Sequence, residues 1–214
     1  MNIFRFVGDM SHLLSFFILL YRLHKSRNAN GISLKTQELY FLVFVTRYLD
    51  LFTTYYSLYN TCMKLVYLAA SGAIVYKIRF TEPFKTSYDR EANDKFPHIK
   101  WGVLPCLAIA LFVNEGHFNF AHLPSYFMEV AWAFSLYLEA MAIIPQLVVL
   151  QSDKLVENLT SHYMAALGAY RALYLLNWIY RYFTEPYYRA WLAWGAGIVQ
   201  TAFYCDFFYY YVMS

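Results

Sequence analysis

The sequence predicts an all-α membrane protein with seven transmembrane helices, and three observations lead there. The 214 residues are 60% hydrophobic and only 14% charged, with a mean hydropathy of +0.34, whereas a soluble domain carries about 25% charged residues. Apolar stretches near the roughly 20 residues needed to span a bilayer recur along the chain. Lysine and arginine concentrate in alternate connections between them. Length alone would fit one or two soluble domains. The apolar excess instead predicts a single membrane domain over residues 1–214.

The spans are expected at about 3–22, 36–55, 59–78, 99–114, 124–150, 163–182 and 191–212, each near bilayer length. The opening "MNIFRFVGDMSHLLSFFILLYRL" has Arg5 as its only early cation and no small-residue cleavage site, so it reads as a retained span rather than a signal peptide. "RNANG" (27–31) reads as a turn, because Asn-Gly favours positive φ. The second span holds Arg47 and Asp50 within "FVTRYLDLFTTYYSLYN". The fourth span is short. The fifth is long and should kink at Pro145, whose freed carbonyl needs another donor. The last two are rich in tyrosine and tryptophan, and "TTYYS" and "FFYYYV" read as interfacial anchors.

Loop charge sets the orientation. The first connection carries Lys25, Arg27 and Lys35, the third Arg79, Lys85, Arg90, Lys95 and Lys100, and the fifth Lys154. The second and fourth carry no lysine or arginine, and the sixth only Arg189. The N-terminus is therefore expected in the lumen and the C-terminus in the cytosol. The acceptor pattern Asn158-Leu159-Thr160 then falls on the cytosolic side and should carry no sugar. Cys62, Cys106 and Cys205 show no metal or disulfide spacing. There is no nucleic-acid patch, nucleotide loop or nucleophile–base pattern, so an enzyme is not expected, nor a cofactor beyond a proton.

Ionisable residues inside spans are costly and usually face a polar interior. At about 100° per residue, Arg5, Asp9 and His12 fall within about 60° on the first span. Glu129, Trp132 and Glu139 fall within about 80° on the fifth, and Arg171, Tyr174, Asn177, Trp178 and Arg181 within about 120° on the sixth. Arg47 and Asp50 are three apart, hence neighbours on the second. Span direction places Arg5, Arg47, Glu129, Trp132 and Arg181 in the luminal half. His12, Glu139, Tyr170 and Arg171 lie deeper, on the order of 10–20 Å in at 1.5 Å per residue.

The expected site is a lumen-open cavity with a cationic mouth and a titratable floor. Three arginines call for a ligand with several carboxylates, which arginine binds bidentately. Trp132 beside Glu129 offers a seat for a cation. An acidic peptide end with one cationic residue fits both. Histidine titrates near physiological pH, and His12 is placed within reach of Glu139 and Tyr170. If binding takes up a proton on His12, affinity falls as pH rises through its titration.

Plainer readings compete. Arg47 and Asp50 can be a local ion pair, Arg181 a snorkelling residue, His12 a packing residue, and Trp132 and Trp178 packing or lipid contacts. A proton-coupled transporter of a small acidic solute or sugar is the functional rival. A scaffold whose charges only hold helices together is another.

The stretches "MNIFRFVGDMSHLL", "TRYLDLFTTYYSLYNTCMKL", "LYLEAMAIIPQLVVLQ", "YRALYLLNWIYRYFTEP" and "YCDFFYYY" resemble the KDEL/HDEL receptors for endoplasmic-reticulum retention signals. "SLKTQELY" and "RYFTEP" look like the plant and protist branch. The resemblance runs the length of the chain. It implies a sugar-transporter-like (PQ-loop) architecture, two three-helix bundles plus a linking helix, with Pro145-Gln146 as its proline-glutamine turn. It implies a luminal pocket that takes the C-terminal tetrapeptide of escaped resident proteins in the acidic Golgi and releases it in the neutral endoplasmic reticulum. Arg5, Arg47 and Arg181 match the family's carboxylate-binding arginines, and Tyr48, Tyr174 and Asn177 further pocket residues. Glu129 and Trp132 match the seat for the first ligand residue. His12, Glu139, Tyr170 and Arg171 match the proton-linked lock. Asp50 and Asp206 match intramembrane carboxylates of open role. Membrane lipids and retrograde coat proteins are the further partners implied. Two departures stand out. Arg189 lies where the animal branch commonly has an acid, and the sequence stops at Ser214, before the lysine-bearing tail that the coat reads.

Overall fold

A computed structural model describes residues 2–88, 94–116, 123–152 and 158–213, and among them no strand occurs. Helix α1 (Ile3–Ser26) begins where the Asn2 side chain accepts from the Arg5 amide, a standard N-cap bond. It ends at Arg27, whose φ of 54° lets its N–H reach the Leu23 carbonyl. Gly31 takes a φ of 71° in the turn that follows, as the Asn-Gly pair requires. Ser33 caps α2 (Leu34–Arg47) through the Thr36 amide.

Helix α2 is shorter than the expected 36–55. It stops at Arg47, and a single tight turn, Leu49–Phe52, takes over. There the Asp50 carbonyl accepts from the Thr53 and Thr54 amides, and the Asp50 carboxylate is drawn to Lys64. Ser57 caps α3 (Leu58–Phe80), and a short α4 (Phe84–Ser87) follows. A wide-turned lead-in, Ile99–Val103, runs into α5 (Leu104–Phe112), with Pro105 in its first turn.

The long fifth apolar stretch is broken rather than merely bent. α6 (Leu123–Met141) ends, two residues intervene, and α7 (Ile144–Ser152) carries Pro145 at its start, where the missing N–H costs nothing. The Gln146 amide donates to Thr36 Oγ1 at 2.9 Å, and its side chain joins the Ser33 amide and the Gly31 carbonyl. The break is therefore tied to the start of α2. Helices α8 (Asn158–Thr184) and α9 (Trp191–Met213) complete the chain.

Three helical stretches, Ile3–Ser26, Leu58–Phe80 and Leu123–Gln151, are long and apolar enough to cross a membrane. In the most apolar window of the first two, only 33% and 22% of residues are buried in the protein, against 72% for the third. Leu123–Gln151 is thus central, while α1 and α3 turn apolar side chains such as Leu14, Phe17 and Leu65 outward. Helix α1 packs chiefly on α8, α2 on α3 and α6, and α6 also on α5 and α9. Arg90 and Lys154, which contribute to the orientation argument, lie outside the described residues, as does Ser214. The helix α9 backbone is described through Met213, but not the side chains of Asp206 or "FFYYYV"; the Asn158 side chain is likewise outside the description.

Candidate functional site

The start of α1, the end of α2, the start of α3 and the end of α8 meet at one end of the bundle. A cavity of about 530 Å³ opens there. Buried in its lining is Glu139 on α6, 2% exposed. This carboxylate receives Arg47 at 2.6 Å, Arg171 at 2.5 Å and the Tyr170 hydroxyl at 2.5 Å. Arg47 also donates to the Ser135 hydroxyl and carbonyl, both at 3.0 Å. Arg171 lies over the rings of Tyr170 and Trp178, at 5.1 and 6.0 Å.

His12 stacks flat on Tyr170, with centroids 4.0 Å apart and planes 5° apart, and it also touches Phe16, Phe44 and Tyr67. Its Nε2 has no hydrogen-bond partner among the described residues. One turn nearer the mouth, Asp9 accepts from the Tyr59 hydroxyl at 2.8 Å and from Tyr174, while Tyr67 donates to its carbonyl at 3.0 Å.

Arg5, Arg47 and Arg181 all line the cavity. Arg181 is held by Glu185, one turn on, through Nε at 2.9 Å and Nη2 at 2.8 Å. Its guanidinium sits 4.0 Å over the ring of Tyr188. The Arg181 hydrogen bond holds the Glu185 carboxyl below its ordinary range, and burial pushes the Tyr188 phenol up. Arg5 forms no ion pair among the described residues.

His12, Tyr48, Trp132, Glu139, Tyr170, Arg171 and Tyr174 join the three arginines around the cavity. Two of the expected site residues are not among the side chains that line the cavity. Asn177 is buried and accepts from the Asn2 side chain at 2.8 Å, which fastens the start of α1 to α8. Glu129 lies against Gly116, where an added Cβ would come within 3.0 Å of it. Arg47 and Asp50 do not pair with each other: Asp50 pairs with Lys64 at 2.6 Å. Sequence reasoning passed over Lys64, which sits near the rings of Tyr48 and Tyr56 at 5.7 and 5.4 Å. A lysine inside an apolar run was the available signal. Glu185 was also overlooked, although its spacing from Arg181 is that of a helical ion pair. Among the described residues, no group of three or more histidine, cysteine or acidic side chains could hold a metal ion.

The model of the family described as ER lumen protein retaining receptor matches residues 28–181, more than half of the chain. The chain belongs to that family. An ER lumen protein-retaining receptor of Petunia hybrida is 54% identical over 214 residues, covering 100% of this chain and 95% of the relative. The Drosophila melanogaster receptor is 50% identical over 212 residues, covering 99% and 94%. That of Plasmodium falciparum is 43% identical over 216 residues, covering 100% and 93%. Membership in the ER lumen protein retaining receptor family places the chain in the secretory pathway. Its apolar helices make it a membrane protein.

Proposed function

We infer that this chain is a pH-dependent receptor that binds the C-terminal KDEL/HDEL-type tetrapeptide of luminal resident proteins in the Golgi and returns them to the endoplasmic reticulum. What carries the inference is the end-to-end identity, 54% and 50% over nearly the whole chain, to plant and insect proteins named ER lumen protein-retaining receptors. In this reading the protein spans the membrane seven times in the PQ-loop arrangement, with a luminal N-terminus and a cytosolic C-terminus. It acts without catalysis and with no cofactor but the proton. Retrograde coat proteins and membrane lipids are its other partners.

Arg5, Arg47 and Arg181 take the peptide's carboxylates, with Tyr48, Tyr174 and Asn177 supporting them. Glu129 and Trp132 take the cationic first residue. His12, with Glu139, Tyr170 and Arg171, links binding to a proton. His12 faces Tyr67 from α3, Phe44 from α2 and Tyr170 from α8. Among charged groups, Glu139, Arg171 and Arg47 share its electrostatic surroundings.

The test is a peptide titration at pH about 5.5 and about 7.4, either side of the ordinary histidine value. Tighter binding at the lower pH, lost when the peptide's C-terminus is amidated, is the expected result. Equal binding of free-acid and amidated peptides would remove the arginines from carboxylate recognition.

A further inference from the structure

A second cavity, of about 300 Å³, opens at the other end of the bundle. On α3, Arg79 in its wall is 15 residues from Lys64 of the first cavity, about 22 Å along the helix. Lys35 and Glu38 of α2, Arg79 of α3, Lys85 of α4 and His98 line it, with Tyr88. Three permanent cations thus face one carboxylate.

Their placement is built rather than incidental. Asp94, 1% exposed, accepts from the Ser33 hydroxyl at 2.9 Å, the Lys35 amide at 3.1 Å and the Tyr88 hydroxyl at 2.7 Å. The Lys35 ammonium, on a side chain buried in the same knot, donates to the Asp94 carbonyl. Glu38 pairs with Arg79 at 2.5 Å and reaches His98 at 3.6 Å. The Lys85 side chain is exposed and has no partner among the described residues. Even counting Asp94, the site keeps an excess cation before His98 is protonated.

The rim is apolar. Ile99, in the lining, is 59% exposed, and Phe80, whose ring lies 5.9 Å from the Arg79 guanidinium, is 63% exposed. Outward aromatic and aliphatic side chains beside lysines mark a membrane–water boundary. Basic pockets between helices at such a boundary suit phosphorylated headgroups. The volume is at the low end for ligand sites, which fits a headgroup better than a whole lipid.

We propose that this second cavity binds the phosphomonoester headgroup of an anionic membrane lipid, with Lys35 and Lys85 meeting the phosphate and Phe80 and Ile99 meeting the acyl region. A phosphomonoester carries close to two charges at neutral pH and three strong acceptors, which matches the local lysines better than a single-charge phosphodiester. The proposal requires only that the protein sits in a membrane and stands apart from peptide binding.

The experiment is native mass spectrometry of the purified full chain with phosphatidylinositol 4-phosphate, phosphatidylserine or phosphatidylcholine, and with soluble inositol 1,4-bisphosphate as competitor. The phosphoinositide should be retained over both other lipids. At about 1 kcal/mol per surface lysine, Lys85→Gln should lower its occupancy about fivefold, and Lys85→Glu by roughly 25-fold. Lys85→Arg should restore it, which rules out a folding defect. Retention unchanged in Lys85→Glu would overturn the proposal, as would equal retention of phosphatidylserine. Competition by the soluble bisphosphate as strong as by the lipid would assign the site to a free phosphate and overturn the lipid assignment.

Discussion

Removing the negative charge at the cavity floor by Glu139→Gln tests the packing and the site together. Glu139 is 2% exposed and satisfies two guanidinium groups and one phenol. Breaking a buried pair by deleting one partner costs about 3–5 kcal/mol, because the other charge stays buried and unmatched. The two arginines do not share this cost equally. Arg47 keeps the Ser135 hydroxyl and carbonyl, and its side chain is 20% exposed. Arg171 is 4% exposed and keeps only the Tyr170 hydroxyl, at 3.2 Å, and two aromatic faces. Most of the penalty therefore falls on Arg171. For a chain of this size the loss corresponds to roughly 6–20 °C in unfolding midpoint, on the soluble-protein scale. The assay is the thermal midpoint in detergent of the wild type, Glu139→Gln, Arg171→Gln and the double variant. The double variant should be more stable than Glu139→Gln alone, since it removes the stranded charge, with a coupling of about 1–3 kcal/mol. A Glu139→Gln loss under about 1 kcal/mol, or strictly additive losses, would refute the reasoning.

Three further outcomes are expected. His12→Ala should flatten the ratio of peptide affinities at pH 5.5 and 7.4; an unchanged ratio takes His12 out of the switch. Glu185→Gln should leave that ratio unchanged and raise peptide affinity by freeing Arg181. The Glu185 carboxyl is held below its ordinary value, so its pairing is fully present above that value and is lost only as pH falls through the lowered one, beneath the window assayed. A ratio that collapses in Glu185→Gln would move the switch there. Gly8→Ala should destabilise by about 1–3 kcal/mol as an overpacking change, because its Cβ would lie 3.0 Å from Tyr174, which donates to Asp9. Gly102→Ala, where a Cβ meets nothing within 4 Å, is the control; equal effects on thermal midpoint would remove the α1–α8 contact from the explanation.

Much of the helical outline was legible because long apolar runs admit few other structures in lipid. The ends were less so. The run after Arg47 stays aromatic and apolar, so nothing local announces that α2 stops there; beyond the stop, Asp50 is held by Lys64 from another helix. Helical angle grouped Arg47 with Asp50, Glu129 with Glu139, and Asn177 with Tyr174. It correctly reports the face of one helix, but it does not choose partners across helices. The turn after Arg47 separates it from Asp50. Asn177 goes to Asn2 because that residue, already capping α1, has a free amide donor to place. The Gln146 ties to α2 were invisible for the same reason: one sequence does not reveal that residues 113 and 110 positions apart exchange hydrogen bonds.

The site's charge pattern explains how a membrane protein tolerates several arginines without its ligand. Arg47 is matched by Glu139 and Arg181 by Glu185, leaving Arg5 the mouth arginine with no ion pair among the described residues. An isolated buried cation is costly, and a paired one much less so. In the proposed function the internal carboxylates hold the places that peptide carboxylates come to occupy. On that proposal, binding exchanges one anion for another at Arg181 and Arg47 and does not bury bare charges. Exchange also ties the ends of the cavity together. A ligand carboxylate that draws Arg47 away from Glu139 leaves that acid facing Arg171, Tyr170 and the ring stacked on it, His12. A proton on His12 would then meet a less fully neutralised carboxylate, so peptide uptake and proton uptake favour one another through Glu139.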